Sequence, residues 1–149
     1  MKYDDASWHY DGDFPTDSPR ELGGTHIALF LRWCFSKGWA GLIHLETDQD
    51  LVIRVAEGRS RATDFLFKYC DGQLGSDDLS DEGNEFAEQY YGPDGLYMAD
   101  YGNKFGTLIY VVPEEGHDYR AYSRMLDKRL ASGILTGEQA ASKPWWRFW

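Results

Sequence analysis

Histidines and aspartates near the N-terminus are the side chains of this chain whose types and spacing could do chemistry. A helix that begins near residue 24 could present His26 to a cleft beside Asp4, Asp5 or Asp13, and His9 is close to the same residues along the chain. Imidazoles next to carboxylates can act as general acids and bases, or can bind a metal ion through nitrogen and oxygen. One alternative function is therefore a small hydrolase or metal-dependent enzyme that uses His9 or His26 with these aspartates.

The spacing of the potential ligands matches no established motif. The four histidines form no HxxxH or HExxH pair, and the two cysteines lie too far apart for a zinc pattern. The N-terminal aspartates lack the regular spacing and the closing glutamate of a calcium loop. We therefore predict no catalytic residue, no metal and no cofactor. A hydrogen bond from His26 to a buried backbone carbonyl at a helix start is the simpler role for that residue.

The strongest charge feature is the segment from Asp71 to Asp100, which contains nine carboxylates and neither Lys nor Arg. This segment accounts for most of the net charge of −10. A concentrated negative field attracts cationic partners and repels nucleic acid. We predict a partner-binding surface that consists of Asp77, Asp78, Asp81, Glu82, Glu85, Glu88, Tyr91, Asp94 and Tyr97, with Tyr90 beside them. The simpler interpretation is a solvated face that only keeps the protein soluble.

The elements that must position these residues are mostly helices. Apolar residues at helical spacing predict a central helix from Thr25 to about Lys37, and further helices are predicted at about 48–57, 60–70, 78–90 and 118–132. Residues 39–45 form a short apolar stretch that is compatible with a helix or a strand. In the last helix, Arg120, Arg124 and Lys128 form a basic stripe. Docking of this stripe on the acidic helix would reduce the negative field.

A small β element completes the predicted fold. Residues 96–101 and 107–112 are rich in aromatic and β-branched side chains, which predicts two antiparallel strands near residues 96–112. The fold class is thus mainly α (α+β), with five to seven helices in a single domain at 1–149. Residues 1–24 are predicted to be an irregular aromatic arm packed on that domain. The aromatic tail at 137–149 either folds back or inserts into another molecule.

The sequence also indicates a compartment. It opens without a positively charged, apolar signal segment, and no apolar run reaches the roughly 18 residues needed to span a bilayer. We therefore expect a cytoplasmic protein with no membrane partner and no nucleic-acid partner. Cys34 and Cys70 are expected to be reduced core residues. The sequence does not indicate the oligomeric state.

Several short motifs carry a resemblance to a known family. They are Tyr3-Asp4-Asp5-Ala6-Ser7-Trp8-His9-Tyr10, Gly12-Asp13-Phe14-Pro15, Gly24-Thr25-His26-Ile27, Cys70-Asp71-Gly72, Asn84-Glu85-Phe86-Ala87, Tyr90-Tyr91 and Tyr97-Met98-Ala99-Asp100-Tyr101. Over about residues 3 to 131 the chain resembles an uncharacterised family of small acidic bacterial proteins. The resemblance implies that the gene lies beside genes for secreted polymorphic toxins, as the genes of immunity proteins do. It implies no catalytic residue.

The leading hypothesis combines the charge with this resemblance. The chain would be a non-catalytic immunity protein that binds and occludes a cognate toxin with a basic cleft. The acidic helix would supply complementary potential and fast association, and the tyrosines would supply anchoring area. A third hypothesis is a nucleic-acid mimic that inhibits a DNA-binding protein. Such a mimic requires carboxylates spaced like phosphates along an elongated surface.

Overall fold

The computed structural model describes residues 1–10, 14–92, 95–106, 110 and 112–132 of the chain. Six α-helices occur in that part: α1 (Thr25–Ser36), α2 (Leu42–Ala56), α3 (Ala62–Tyr69), α4 (Asp81–Tyr90), α5 (Tyr97–Phe105) and α6 (Tyr119–Ser132). Two short strands, β1 (Lys2–Asp5) and β2 (Gln73–Gly75), pair antiparallel. The predicted mainly helical fold with five to seven helices and a small antiparallel β element is therefore confirmed.

Helix α1 is the centre of the hydrophobic core. Its residues from Ile27 to Leu31 are all fully buried, as are Trp33 and Cys34. A helix that is apolar around most of its circumference must be covered on all sides, and α2, α3 and α6 supply part of that cover. The indole of Trp33 donates a hydrogen bond to Asp127 of α6 at 3.1 Å. The predicted central helix is thus confirmed.

Helix α2 joins two segments that the sequence predicts to be separate elements. The apolar stretch at 39–45 and the helix predicted at 48–57 form one helix with a kink at Asp48, where φ is −161° and ψ is 83°. A carboxylate oxygen of Asp48 accepts a hydrogen bond from the N–H of Leu51 at 3.0 Å. Asp48 therefore caps the second half of the helix, which explains why it resembles a helix start in the sequence.

The β element lies elsewhere than predicted. Residues 97–105, which include most of the strand expected at 96–101, form α5, and Tyr97 and Tyr101 are both buried at helical spacing. Most of the second predicted strand, residues 107–109 and 111, lies outside the described part of the chain. The sheet instead uses β1, so the arm predicted to be irregular at 1–24 contains a strand. After that strand, the N–H of Ala6 donates to the carbonyl of Gly72 at 2.8 Å.

Other expectations have mixed outcomes. Cys34 and Cys70 are both free thiols, as predicted; Cys34 lies in the core, whereas Cys70 is only partly buried against it. Within the arm, Tyr3 is buried but Trp8 is 56 % exposed, so not every aromatic side chain there packs inward. Within the described ranges, none of the helices has the length and apolar character needed to cross a membrane. The aromatic tail at 137–149 lies outside the described residues.

Candidate functional site

The predicted acidic surface begins in a 3₁₀ turn (Ser76–Asp78) and continues along α4. Ser80 caps α4, because its hydroxyl oxygen accepts a hydrogen bond from the N–H of Gly83 at 3.2 Å. Five of the predicted acidic residues are exposed, and we call them the acidic surface: Asp77, Asp81, Glu82, Glu85 and Glu88. Asp94 lies outside the described residues. Three of the five, at positions 81, 85 and 88, have the spacing of a single helix face.

The basic side chains that the structure describes do not neutralise this surface. Among the described residues, no Lys, Arg or His forms an ion pair with any of its five carboxylates. The basic stripe of α6, Arg120, Arg124 and Lys128, is itself exposed and forms no ion pair with α4 within the described part of the chain. Docking of the stripe on the acidic helix is therefore not observed there, and the five carboxylates are exposed among the described residues.

Two other acids of the segment have structural partners. Asp78 bonds to His44 Nε2 at 2.8 Å through one oxygen and accepts the N–H of Gly75 at 2.8 Å through the other. Asp100 accepts two hydrogen bonds from Arg129, at 2.8 and 2.9 Å, and one from Tyr90 at 2.7 Å. These carboxylates therefore hold elements together. Asp78, although predicted to bind a partner, is partly buried by its internal bonds.

The predicted aromatic anchors lie inside the protein. Tyr91 is 7 % exposed and Tyr97 is 1 % exposed, and their rings stack with centroids 4.4 Å apart. The Tyr91 hydroxyl donates to Asp4, and the Tyr97 hydroxyl donates to the backbone carbonyl of His26 at 2.5 Å. The contact area expected from these two tyrosines is thus used by the core.

An apolar segment, residues 39–43, borders the acidic surface. The sequence did not predict it as part of that surface. The Ser80 N–H donates to the carbonyl of Trp39 at 2.8 Å, and the indole N–H of Trp39 donates to a Glu82 carboxylate oxygen at 3.2 Å. In the same segment Leu42 is 70 % exposed and Ile43 is 57 % exposed. The sequence shows the segment to be apolar, but it does not show which of its residues face solvent.

A second candidate site lies at the buried end of the N-terminal arm. Asp4 of β1 is 4 % exposed, His26 in the first turn of α1 is 1 % exposed, and His9 ends the 3₁₀ turn Ala6–His9. One oxygen of Asp4 lies 2.8 Å from His9 Nε2, and the other lies 2.9 Å from His26 Nε2. The two Nε2 atoms are 3.1 Å apart, and the hydroxyl of Tyr91 donates to Asp4.

This Asp4 cluster corrects the simpler role predicted for His26. Its imidazole faces a carboxylate and a second imidazole rather than a backbone carbonyl. Burial lowers the pKa of His26, although the hydrogen bond to Asp4 acts in the opposite direction. Burial alone would raise the pKa of Asp4, but its hydrogen bonds from His26, His9 and Tyr91 hold that pKa well below its ordinary value. Asp4 is therefore ionised at neutral pH.

Asp5 does not join the cluster. The carboxylate of Asp5 caps the adjacent 3₁₀ turn by accepting from Ser7 at 2.9 Å, and it pairs with Lys2 at 3.0 Å. Asp13 lies outside the described residues. The structure thus brings together His9, His26 and Asp4 from the set that the enzyme alternative requires.

A third group, His44, Cys70 and Asp78, has less suitable chemistry. The Cys70 sulfur lies 3.8 Å from the same His44 nitrogen that bonds to Asp78. A nucleophilic triad instead requires the acid and the nucleophile to contact different ring nitrogens. Burial, together with the nearby Asp78, raises the pKa of the Cys70 thiol far above its usual range. The thiol therefore stays protonated and is a poor nucleophile.

The Asp4 cluster is largely buried. A groove of about 940 Å³ between α5 and α6 and a cavity of about 380 Å³ beside α2 and α3 are both lined by other residues. Of the three side chains, His9 is the most accessible, at 16 % exposed. Two imidazoles and a carboxylate in this arrangement can bind an ion, form a structural network or transfer a proton.

Comparison with known proteins identifies a family but no function. No curated protein sequence matches the chain, and no solved structure matches it. A family model described as a domain of unknown function, DUF7832, matches residues 2–115. The match includes the Asp4 cluster, the acidic surface and the apolar segment at 39–43. The chain therefore belongs to the DUF7832 family.

Proposed function

We propose that this protein is a bacterial, cytoplasmic immunity protein that binds a cognate toxin through the acidic surface and occludes its basic cleft. One observation carries the proposal: five exposed carboxylates on and just before α4 have no basic partner among the described residues. The resemblance of the sequence to proteins encoded beside toxin genes supports a toxin as the partner.

The charge pattern also supports a fast encounter. Asp81, Glu85 and Glu88 share one helix face, and their mutual repulsion costs a few tenths of a kcal/mol per pair. The stability of α4 does not require such repulsion. A basic partner would relieve it and would be steered toward the surface at low ionic strength.

The apolar segment next to this surface provides exposed apolar area that a bound partner can cover. Leu42 and Ile43 are among the most exposed large apolar residues of the described chain, and the segment is joined to the start of α4 by backbone hydrogen bonds. Binding energy in protein interfaces comes mainly from a few buried apolar or aromatic contacts, whereas charges at the rim set the rate and the specificity. We assign the anchoring role to this segment.

The test uses two triple variants with the same change of net charge. The first, Asp81→Lys, Glu85→Lys and Glu88→Lys, reverses the acidic surface. The second, Glu46→Lys, Asp50→Lys and Glu57→Lys, reverses exposed acids of α2 and just after it. Each protein is immobilised and used to capture partners from a lysate of the native host at low and at high salt. We expect a basic protein that the wild type and the control variant retain, and that the surface variant loses.

Function is then tested in cells. The captured protein should arrest growth when it is expressed alone, and co-expression of the wild type should restore growth, whereas the surface variant should not. Equal capture by both triple variants would show that the acidic surface only solubilises the protein. A captured protein that is harmless, or one that normally binds DNA, would contradict the immunity role and favour a different inhibitor.

The enzyme alternative is favoured by one observation, the convergence of Asp4, His9 and His26. A small hydrolase or metal-dependent enzyme that inactivates a toxin would lose its protective effect when His9 is replaced. We expect the His9→Gln variant to protect cells as the wild type does, because binding alone provides the protection. Loss of protection by a folded His9→Gln protein that still captures the toxin would favour the enzyme.

A further inference from the structure

We propose that Asp4, His9 and His26 bind one divalent transition-metal ion, of which Zn²⁺ is the best fit. The inference does not depend on the proposed partner. It assigns a metal site where the sequence predicts none, and it rests on three independent features of the Asp4 cluster.

The first feature is the spacing of the donor atoms. Ligand atoms that lie about 2.0–2.1 Å from an ion are about 2.9 Å apart at a right angle and about 3.4 Å apart at the tetrahedral angle. The three contacts within the cluster measure 2.8 Å (His9 to Asp4), 2.9 Å (His26 to Asp4) and 3.1 Å (His9 to His26). The two Asp4 contacts use different carboxylate oxygens, so an ion fits if both oxygens bind it or if the carboxylate rotates to present one of them.

The second feature is an unfavourable arrangement of protons without an ion. If both Nε2 atoms carry a proton, both can donate to Asp4, but the two N–H groups then crowd each other at 3.1 Å. If one Nε2 atom lacks its proton, that ring loses its hydrogen bond to the carboxylate. A cation in place of both protons is contacted by two nitrogen lone pairs and one carboxylate, and the conflict disappears.

The third feature is charge. The carboxylate of Asp4 is 4 % exposed, and no Lys or Arg among the described residues forms an ion pair with it. Buried charges are normally paired or coordinate a metal. The only ion-pair partners of this carboxylate among the described residues are His9 and His26, and a divalent ion supplies positive charge where the three side chains meet without protonation of either ring.

Neighbouring hydroxyls complete the environment that such a site requires. His9 Nδ1 lies 2.5 Å from the hydroxyl of Tyr110, and with the ion on Nε2 the Nδ1–H donates to that oxygen. The hydroxyl of Tyr91 donates to Asp4. Partners of this kind fix the ring orientation and the carboxylate rotamer.

The donor set identifies the class of ion. Two imidazoles and one carboxylate suit Zn²⁺ and other first-row divalent ions, whereas Ca²⁺ and Mg²⁺ prefer all-oxygen sites. Because the ligands come from β1, the turn that follows it and α1, a bound ion would fasten the N-terminal arm to the central helix.

The experiment uses the full chain without a histidine tag, after chelator treatment. Isothermal titration with ZnCl₂ should show one equivalent bound, and the melting temperature should rise with the Zn²⁺ concentration. Titration with Co²⁺ should produce visible absorption from a nitrogen- and oxygen-coordinated ion. His9→Gln should weaken Zn²⁺ binding by more than about 100-fold. Removing even a residue that only hydrogen-bonds to a metal ligand lowers metal affinity by about 10–100-fold.

Two further variants keep the test decisive. Tyr110→Phe removes only the hydroxyl beside His9 and should weaken binding by about 10–100-fold while the apo protein stays folded by circular dichroism. His44→Gln, in the cluster with Cys70 and Asp78, is the matched control and should bind Zn²⁺ as the wild type does. Absence of Zn²⁺ binding by the wild type, an unchanged affinity of His9→Gln, or loss of binding in His44→Gln would each overturn the proposal.

Discussion

Glu114 accepts a hydrogen bond from the backbone N–H of Thr63 at 2.7 Å, across more than fifty residues of sequence. Its second carboxylate oxygen accepts the N–H of Ala62 at 3.1 Å, and the side chain is only 8 % exposed. The first turn of α3 has no intrahelical partners for these N–H groups, and its dipole favours a negative charge there. A buried glutamate from the segment before α6 therefore caps α3.

This contact predicts a loss of stability on substitution. Glu114→Gln removes the charge and leaves one acceptor oxygen for two N–H groups, so the free energy of unfolding should fall by about 1–2 kcal/mol. Urea denaturation at neutral pH measures the loss. The neighbouring variant Glu115→Gln affects an exposed pair with Arg61 and should cost less than about 0.5 kcal/mol. Equal losses for the two variants would contradict the capping role.

The pair of Asp100 and Arg129 predicts part of the acid sensitivity. Burial would raise the pKa of Asp100, but the hydrogen bonds from Arg129 and Tyr90 lower it below the ordinary value of 3.8. A group with a lowered pKa in the folded state stabilises the fold above its ordinary pKa, and this contribution is lost as the pH falls through the folded-state pKa. Asp100→Asn should therefore lower the free energy of unfolding by about 1–3 kcal/mol at neutral pH and by less in acid.

Urea unfolding curves at neutral pH and below about pH 4 measure this difference. The control is Asp64→Asn, which removes an exposed carboxylate that pairs with Arg61 and should change stability little at either pH. If the free energy of unfolding falls between neutral and acid pH by as much in Asp100→Asn as in the wild type, the pair does not contribute to acid unfolding.

The exposed apolar segment predicts an effect on binding without an effect on folding. Replacing both Leu42 and Ile43 by Ser should weaken partner binding by tenfold or more, mainly through faster dissociation, because anchoring contacts of this kind are worth more than about 1 kcal/mol. Surface plasmon resonance with the captured partner measures the rates. Ile53→Ser, at another exposed apolar position of α2, should leave both rates unchanged. A lower melting temperature of the double variant than of the wild type would instead indicate a structural role.

The sequence predicts the elements whose signals are local. Helices α1, α4 and α6 have apolar residues at helical spacing, and all three were predicted close to their observed bounds. Helix α5 was mistaken for a strand because aromatic residues favour strands, although Tyr97, Tyr101 and Phe105 also lie four residues apart. The sheet was missed because it pairs segments about seventy residues apart.

The candidate sites show the same limit. Charge alone predicted the exposed acids of α4, but it could not show that Asp78 bonds to His44. Tyr91 follows Tyr90 directly, and helical spacing alone did not show that the core buries both. The Asp4 cluster depends on the approach of the arm to α1, and motif rules that count residues along the chain do not detect such an approach.

The pairing of Lys2 with Gly75 closes a loop that contains α1, α2 and α3. Closing a loop of this length carries an entropic cost that neighbouring helices do not incur when they pack. The compact helical part can thus form before the first strand docks. Until β1 pairs with β2, Asp4 is open to solvent.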